Sequence, residues 1–382
     1  MIRESWFGLT LLQSAPCNER IEGESLDMER ARRLAGRGTG DNPANRYEEI
    51  HIEPDEAGDG EAAEAGALPT IFYRDTSRSI LAENDSPDID FRFSLNPYRG
   101  CEHGCIYCYA RPSHEYLSFS AGLDFERRIM TKPDAPQLLR RTFLSSRWQP
   151  QTVALSGNTD CYQPVEQRLQ LTRRCLEVFS EFVNPVSITT KSALVTRDLD
   201  LLCDLATHGA AHVVLSITSL HGTLTRRMEP RAAQPDRRLE ALHSLSAAGI
   251  PTGVLIAPVI PGLNDEEISR ILEAAAAAGA RSASWTLVRL PQPVDQLFVD
   301  WLGEHFPERR ERVLGRIQAC RDGRLSDTCY GRRLRGQGVY AEQISALFEA
   351  AARRHGLDHR LPSLNANAFR RSRGAGEQLA FC

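Results

Sequence analysis

Three cysteines fall in one short run, Cys101-Glu-His-Gly-Cys105-Ile-Tyr-Cys108-Tyr109, at C-x3-C-x2-C spacing. Soft thiolates this close together suit zinc or an iron–sulfur cluster. A closed structural zinc site needs four protein ligands. The next cysteine after Cys108 is Cys161, and His114 is the one close substitute. Three thiolates on a four-iron cube leave one iron without a protein ligand, which is a reactive position. The residue types therefore favour an iron–sulfur cluster over zinc, and either over three unliganded thiols. Gly100 and Gly104 loosen the backbone around the thiols, and Tyr107 and Tyr109 flank the last of them.

The spacing, with an aromatic residue just before the third cysteine, resembles the cluster motif of the radical S-adenosylmethionine superfamily. The wider runs Ser94-Leu-Asn-Pro-Tyr98-Arg-Gly-Cys101 and Cys108-Tyr-Ala-Arg-Pro112 resemble its spore photoproduct lyase-like (DNA repair photolyase-like) branch. Similar motifs continue to about Pro291. The resemblance implies a [4Fe-4S] cluster on Cys101, Cys105 and Cys108, with S-adenosylmethionine chelating the open iron. It implies reductive cleavage to methionine and a 5′-deoxyadenosyl radical, an electron donor of the flavodoxin or ferredoxin type, and a nucleic acid or nucleotide as substrate. Radical modification of a protein side chain or small metabolite is the alternative, and a non-catalytic metal-binding barrel a second one.

The same resemblance assigns further residues. Leu155-Ser156-Gly157-Asn158-Thr159-Asp160-Cys161-Tyr162-Gln163-Pro164, completed by Glu166, is similar to the family's Gly-x-x-Thr-Asp-x-Tyr-Gln-Pro-x-Glu segment, although only Asn158 separates Gly157 from Thr159. Ser156, Asn158, Thr159 and Asp160 then face the methionine end of the cofactor, and Gly157 lets the backbone approach it. An ordinary strand-to-helix turn also uses Ser-Gly-Asn. Lys191, in Thr189-Thr190-Lys191-Ser192, is assigned to the cofactor carboxylate, which a compact ammonium reaches without crowding. Ser216 is a candidate for ribose or carboxylate. Ile260, in Pro258-Val-Ile260-Pro261-Gly262, is assigned to the adenine ring. Tyr107 is placed against the cofactor, and Tyr109 near the site of hydrogen abstraction or packed over the cube. Cys161 stands where related sequences carry proline. It is a candidate hydrogen-atom donor only by region, and a small buried thiol is the plainer reading. Arg226 or Arg227 is expected to pair with Glu229 or to touch substrate, and Arg289 to lie at the same rim.

These residues need a frame. Phe91–Leu95 alternates with period two, and short β-branched apolar runs recur at Val153–Leu155, Val186–Ile188, Val213–Ile217, Gly253–Ala257 and Ser284–Val288. Helical patterns lie between them at Glu166–Phe182, Asp198–Ala206, Arg237–Ala248 and Asp265–Ala278. Asp265 looks like an N-cap, and Gly249 and Gly279 like helix stops. Alternating strand and helix predicts a parallel sheet covered by helices. Six strands with the cluster loop after the first fit an open partial (β/α)6 TIM-type barrel, which is also the fold the resemblance implies. In such barrels reactive groups sit at the C-terminal strand ends. The reading divides the chain into a disordered acidic segment over 1–69, the barrel over 70–292 and a helical C-terminal extension with a basic tail over 293–382.

At 382 residues, with 41% hydrophobic and 25% charged residues, the chain can bury a sizeable core. Its formal charge of −4 gives no general affinity for nucleic acid or membrane, but residues 1–70 carry net −8 and the remainder about +4. Between Pro307 and Arg373 there are 15 arginines against 7 acids, which could meet phosphates or form a solvated helix surface. Aromatic content of 7% predicts no evident stacking platform. Lys132 and Lys191 are the only lysines beside 44 arginines. Ten cysteines are too sparse for a disulfide scaffold, and no run approaches a membrane span, so a reduced, cytoplasmic setting is expected. The Trp6–Leu12 run does not read as a signal peptide. The stretch from Met28 to Arg46 resembles the family and residues 1–27 do not, so translation is expected to start at Met28.

Overall fold

The computed structural model describes residues 36–47 and 68–371. The expected start at Met28 and most of the acidic segment lie outside the described residues.

In chain order the strands are β1 (Ile71–Arg74), β2 (Leu81–Glu83), β3 (Phe93–Leu95), β4 (Tyr98–Arg99), β5 (Arg128–Thr131), β6 (Val153–Leu155), β7 (Val186–Thr190), β8 (Ala211–Ser216), β9 (Thr252–Val259) and β10 (Ser282–Leu287). Six of them, β3-β6-β7-β8-β9-β10, lie side by side and parallel, and β2 adds antiparallel to the β3 edge. This is the six-stranded open barrel that the apolar runs predict. A separate small sheet, β1-β5-β4, brackets the cysteine loop in sequence.

Alternation sets the faces. In β7, Val186, Ile188 and Thr190 are buried while Ser187 and Thr189 are half-buried. The helix Leu171–Phe182 packs Leu171, Cys175, Val178, Phe179 and Phe182 inward, and Phe143 joins Phe179 and Phe182 edge to face. The expected helix over Glu166–Phe182 is two helices, Glu166–Leu169 and Leu171–Phe182, because Gln170 takes a left-handed turn (φ 51°). The Glu166 carboxylate accepts from the Thr172 and Arg173 amides at 3.0 and 3.3 Å, satisfying donors that the second helix leaves open. Gly249 and Gly279 end their helices at positive φ, as expected. Asp265 does not act as the expected N-cap. Its carboxylate accepts from the Gly262 amide at 2.8 Å and from the Tyr340 hydroxyl, which ties the turn after β9 to the C-terminal helix Val339–Arg354.

The C-terminal extension closes the open side of the barrel. Leu334 and Leu357 carbonyls accept from the β10 amides of Leu287 and Ala283 at 2.8 and 3.0 Å, covering an otherwise unpaired edge. At the opposite edge, Asp88 in the loop after β2 pairs with Arg333 at 2.6 Å and accepts from the Gly331 amide at 2.7 Å. The helix Val294–His305 packs Val294, Leu297, Phe298 and Trp301 into a second apolar cluster that includes Ile106 and Tyr107 of the cysteine loop. Residues 36–47, inside the segment expected to be disordered, lie on the other flank of that loop. There the Gly38 amide donates to Glu126 at 2.9 Å and Arg46 pairs with buried Glu115.

Candidate active site

The C-terminal ends of the parallel strands and the cysteine loop enclose a cavity of about 530 Å³. Cys101, Cys105, Cys108, Tyr107 and Tyr109 line it from the loop, and Ser156–Asp160, Thr189–Lys191, Ser216, Leu255, Ala257, Pro258 and Arg289 from the strand ends.

The loop is shaped by buried polar contacts. Arg111 has no solvent exposure; it pairs with Glu126 at 2.5 Å and donates to the carbonyls of Cys105, Gly104 and Gly122 at 3.0, 3.3 and 2.8 Å. Gly104 takes φ +67°, and a Cβ there would stand 2.6 Å from Glu126 Oε2. The Glu102 amide donates to Gln163 at 2.9 Å, and Gln163 donates to the Gly100 carbonyl at 3.1 Å. The Tyr-Gln-Pro segment thus braces the cysteine loop. Burial pushes all three thiols above their ordinary pKa, so a metal must displace their protons to bind.

His114, the substitute ligand expected from the sequence, is tied up. It is buried, its Nε2 lies 2.9 Å from the Arg128 carbonyl and its ring packs edge-on to Phe125. Burial lowers its pKa to about 4. Among the described residues no three His, Cys, Asp or Glu side chains converge as a single-ion site. His103 lines the same cavity but faces Asp160 at 3.4 Å, which leaves three thiols for the metal, and three thiols fit a cluster with one open iron better than a closed zinc site.

Lys191 reaches the cavity from the end of β7. Its ammonium donates to Ser216 Oγ at 2.6 Å and the Ala257 carbonyl at 2.8 Å, and lies 3.5 Å from Glu229 and 5.8 Å from the Tyr107 ring centroid. Glu229 is fully buried. Burial alone would raise its pKa, but Arg238 and Lys191 outweigh that and hold it at about 2. Its neutral partners are Thr218, at 2.6 Å, and the Tyr107 hydroxyl. The expected pairing of Glu229 with Arg226 or Arg227 does not occur. Arg238, from the helix Pro235–Ala247, takes that place, while Arg226 donates to Gln234 and Arg227 to the His305 carbonyl.

The segment after β6 lies on the cavity, but several of its polar groups are turned to the protein. Asp160 accepts from Thr190 Oγ1 and the Lys191 amide at 2.7 and 2.8 Å, and from the Tyr162 amide at 2.9 Å. Thr159 Oγ1 donates to the Tyr98 carbonyl at 2.8 Å, and Ser156 Oγ accepts from the Cys161 amide at 2.8 Å. Asn158 is exposed, with its amide 3.3 Å from Asn96. At Gly157 a Cβ would meet Ser94 Cβ at 2.7 Å, so the close approach of β3 requires glycine there.

Two candidates do not line the cavity. Cys161 has no solvent exposure and packs in the main core with Cys175 and Leu176, because its amide and carbonyl are fixed by Ser156 and Thr172 and its side chain turns inward. Ile260 is equally buried in the second apolar cluster, since Asn264 holds its amide at 2.6 Å. Leu255, Ala257 and Pro258 form the apolar wall instead. Sequence reasoning missed His103, buried on the cavity 3.4 Å from Asp160, as well as Tyr330 and Arg333 of the C-terminal extension. His103 lies inside the cysteine motif and was open to notice. Nothing local marks the other two.

Residues 95–275 match the family model of the Radical SAM superfamily. Among its relatives, an uncharacterised protein of Mycobacterium tuberculosis (strain ATCC 25618 / H37Rv) is 36% identical over 222 residues, covering 58% of this chain and 65% of that protein. The match thus spans just under two thirds of that relative's length. The Radical SAM Nalpha-GlyT isomerase of Pseudomonas phage M6 is 21% identical over 54% of this chain and 42% of its own. Among solved structures, spore photoproduct lyase complexed with dinucleoside spore photoproduct has the same fold, with a TM-score of 0.53 and 14% identity over 74% of this chain and 78% of that one. Among the described residues no helix is long and apolar enough to cross a membrane.

Proposed function

We propose that this chain cleaves S-adenosylmethionine reductively at a [4Fe-4S] cluster held by Cys101, Cys105 and Cys108, and acts on a nucleic acid or nucleotide. The observation that carries the reading is that the three thiols share one cavity with Lys191, Ser216 and Tyr107 at the ends of the parallel strands. When bound, the cluster and S-adenosylmethionine supply one-electron cleavage of the sulfur–C5′ bond, yielding methionine and a 5′-deoxyadenosyl radical.

The chain's own residues have separable tasks in this reading. Lys191 faces a carboxylate, exchanging one of its present acceptors for it. Ser216, bonded to Lys191, holds the ammonium in place. Tyr107 and Glu229 fix the cavity floor behind both. The wall of Leu255, Ala257 and Pro258 suits a flat apolar ring such as adenine. Burial of the thiols keeps water from the cluster. A one-electron reductant of flavodoxin or ferredoxin type is required. The nucleic-acid assignment is supported by the dinucleoside spore photoproduct bound to the lyase that shares this fold.

Anaerobic reconstitution with iron and sulfide, then reduction in the presence of S-adenosylmethionine, tests the reading. The expected product is 5′-deoxyadenosine, lost in Cys101→Ala, Cys105→Ala and Cys108→Ala. A colourless protein carrying one zinc overturns it. Deuterium transfer from labelled DNA, RNA or nucleotides into 5′-deoxyadenosine identifies the substrate.

A further inference from the structure

Arg289 follows β10 and lines the cavity, yet among the described residues its guanidinium makes no hydrogen bond and no ion pair. Its one specific contact is the Tyr109 ring, 5.1 Å from Cζ to centroid. The neighbouring Arg333 adds a second positive charge and is answered by Asp88 at 2.6 Å. Asp85 also lines the cavity, but among the described residues it makes no ion pair with Arg289, so that guanidinium is left without an acceptor. A half-buried guanidinium has lost part of its hydration, and that loss is recovered only when an anion supplies acceptors for its fork of donors.

The same mouth presents flat apolar surface. Tyr109 and Tyr330 are 48% and 57% exposed, which sets them apart from the aromatic side chains of the core, and both line the cavity. Each carries an arginine against its ring, Arg289 on Tyr109 and Arg333 at 4.6 Å from the Tyr330 centroid. An aromatic face beside an unanswered guanidinium is the arrangement that receives a nucleobase and its phosphate. This supplies the stacking surface that 7% aromatic content did not predict. It also gives the arginine-rich extension a specific role, since Arg333 and Tyr330 come from it.

We propose that Arg289 binds a phosphate of a nucleotide unit whose base lies against Tyr109 and Tyr330. The proposal rests on the reading of this cavity as a radical SAM site and names the substrate group that its mouth selects. Lys191 already donates to Ser216 and the Ala257 carbonyl whereas Arg289 has no acceptor, so the two cationic groups have different anions to meet.

The test is calorimetric titration of the reconstituted protein, with S-adenosylmethionine present, using thymidine 5′-monophosphate, thymidine, inorganic phosphate and benzoate. The monophosphate is expected to bind most tightly. Arg289→Gln should weaken it by about ten- to a hundredfold, as loss of a charge-assisted hydrogen bond does. Arg289→Lys should retain part of the affinity. Tyr330→Ala should weaken binding about five- to a hundredfold, as loss of a stacking ring does. Arg312→Gln, in the helix Arg310–Ala319 and outside the cavity lining, should bind as the parent does. Equal affinity of the parent and Arg289→Gln overturns the proposal. So does thymidine binding as tightly as its monophosphate, benzoate binding more tightly than the nucleotide, or no nucleotide binding at all. Formation of 5′-deoxyadenosine in the same preparation separates the two ideas. If it forms while nucleotides do not bind, the phosphate assignment alone fails; if it does not form, the reading of the cavity fails.

Discussion

Arg238 and Glu229 form an ion pair with only 1% and 0% of their side chains exposed. Arg238 also donates to the Ser216 and Ala233 carbonyls at 2.9 and 2.7 Å, so the end of β8 and the helix behind it are fixed through one guanidinium. Removing one partner of such a pair leaves an uncompensated buried charge. Arg238→Met is therefore expected to lose about 3–5 kcal/mol in denaturant unfolding. The double variant Arg238→Met, Glu229→Gln should recover part of that loss, because the carboxylate no longer needs an answering charge. Equal stabilities of the single and double variants would contradict this.

Gly104 offers a second test, at the cysteine loop. Its φ of +67° lies in the left-handed region, and an added Cβ would approach Glu126 Oε2 to 2.6 Å. The conformation alone costs an L-residue about 1–2 kcal/mol, and the contact displaces the carboxylate that holds Arg111 and the Gly38 amide. Gly104→Ala should lower both unfolding free energy and the iron bound per chain after reconstitution. Gly249→Ala shares the strained φ of +81° but meets nothing within 4 Å. It should lose stability while keeping its iron.

The contrast between strands and side-chain directions explains how much was legible. Val153–Leu155, Val186–Ile188 and Gly253–Ala257 announce buried parallel strands because short β-branched runs between helical patterns have few other uses. All lie in the observed strands, and Cys101, Cys105, Cys108 and Lys191 follow at the C-terminal ends that the topology dictates. Whether a residue one or two places past a strand faces the cavity is another matter. Cys161 and Ile260 turn inward because Ser156 and Asn264 hold their amides, and such turn contacts have no periodic signature. Arg238 displaced Arg226 and Arg227 as the partner of Glu229 because a helix packs it there, although the nearer arginines look equivalent in sequence. Tyr330 and Arg333 reach the cavity by folding back across more than two hundred residues, a long-range pairing that only the assembled chain reveals.

His114 predicts a pH dependence of stability. Burial lowers its pKa from the ordinary 6.5 to about 4, so the folded protein keeps it neutral where the unfolded chain takes up a proton. Between those values the unfolded state binds more protons, and stability rises with pH. The contribution is fully present above pH 6.5 and is lost as pH falls towards 4, by about 3 kcal/mol in all. His114→Gln should be less stable at pH 7 and should show a shallower fall from pH 6.5 to 4 in urea unfolding. An unchanged slope would mean that another group carries the acid sensitivity.

Cys161 separates position in sequence from position in space. Its thiol, like those of Cys101, Cys105 and Cys108, is pushed up by burial. What differs is the wall it faces: Cys101, Cys105 and Cys108 open on the cavity, whereas Cys161 packs against Cys175 and Leu176 in the core. Cys161→Ala should therefore retain the parent iron content and visible absorption after anaerobic reconstitution, with a stability loss of about 1 kcal/mol for the missing sulfur. Cys101→Ala should show the reverse, losing most of its iron whatever its stability. If Cys161→Ala lost iron as Cys101→Ala does, Cys161 would be reaching the cluster, and the direction of its side chain would have to change.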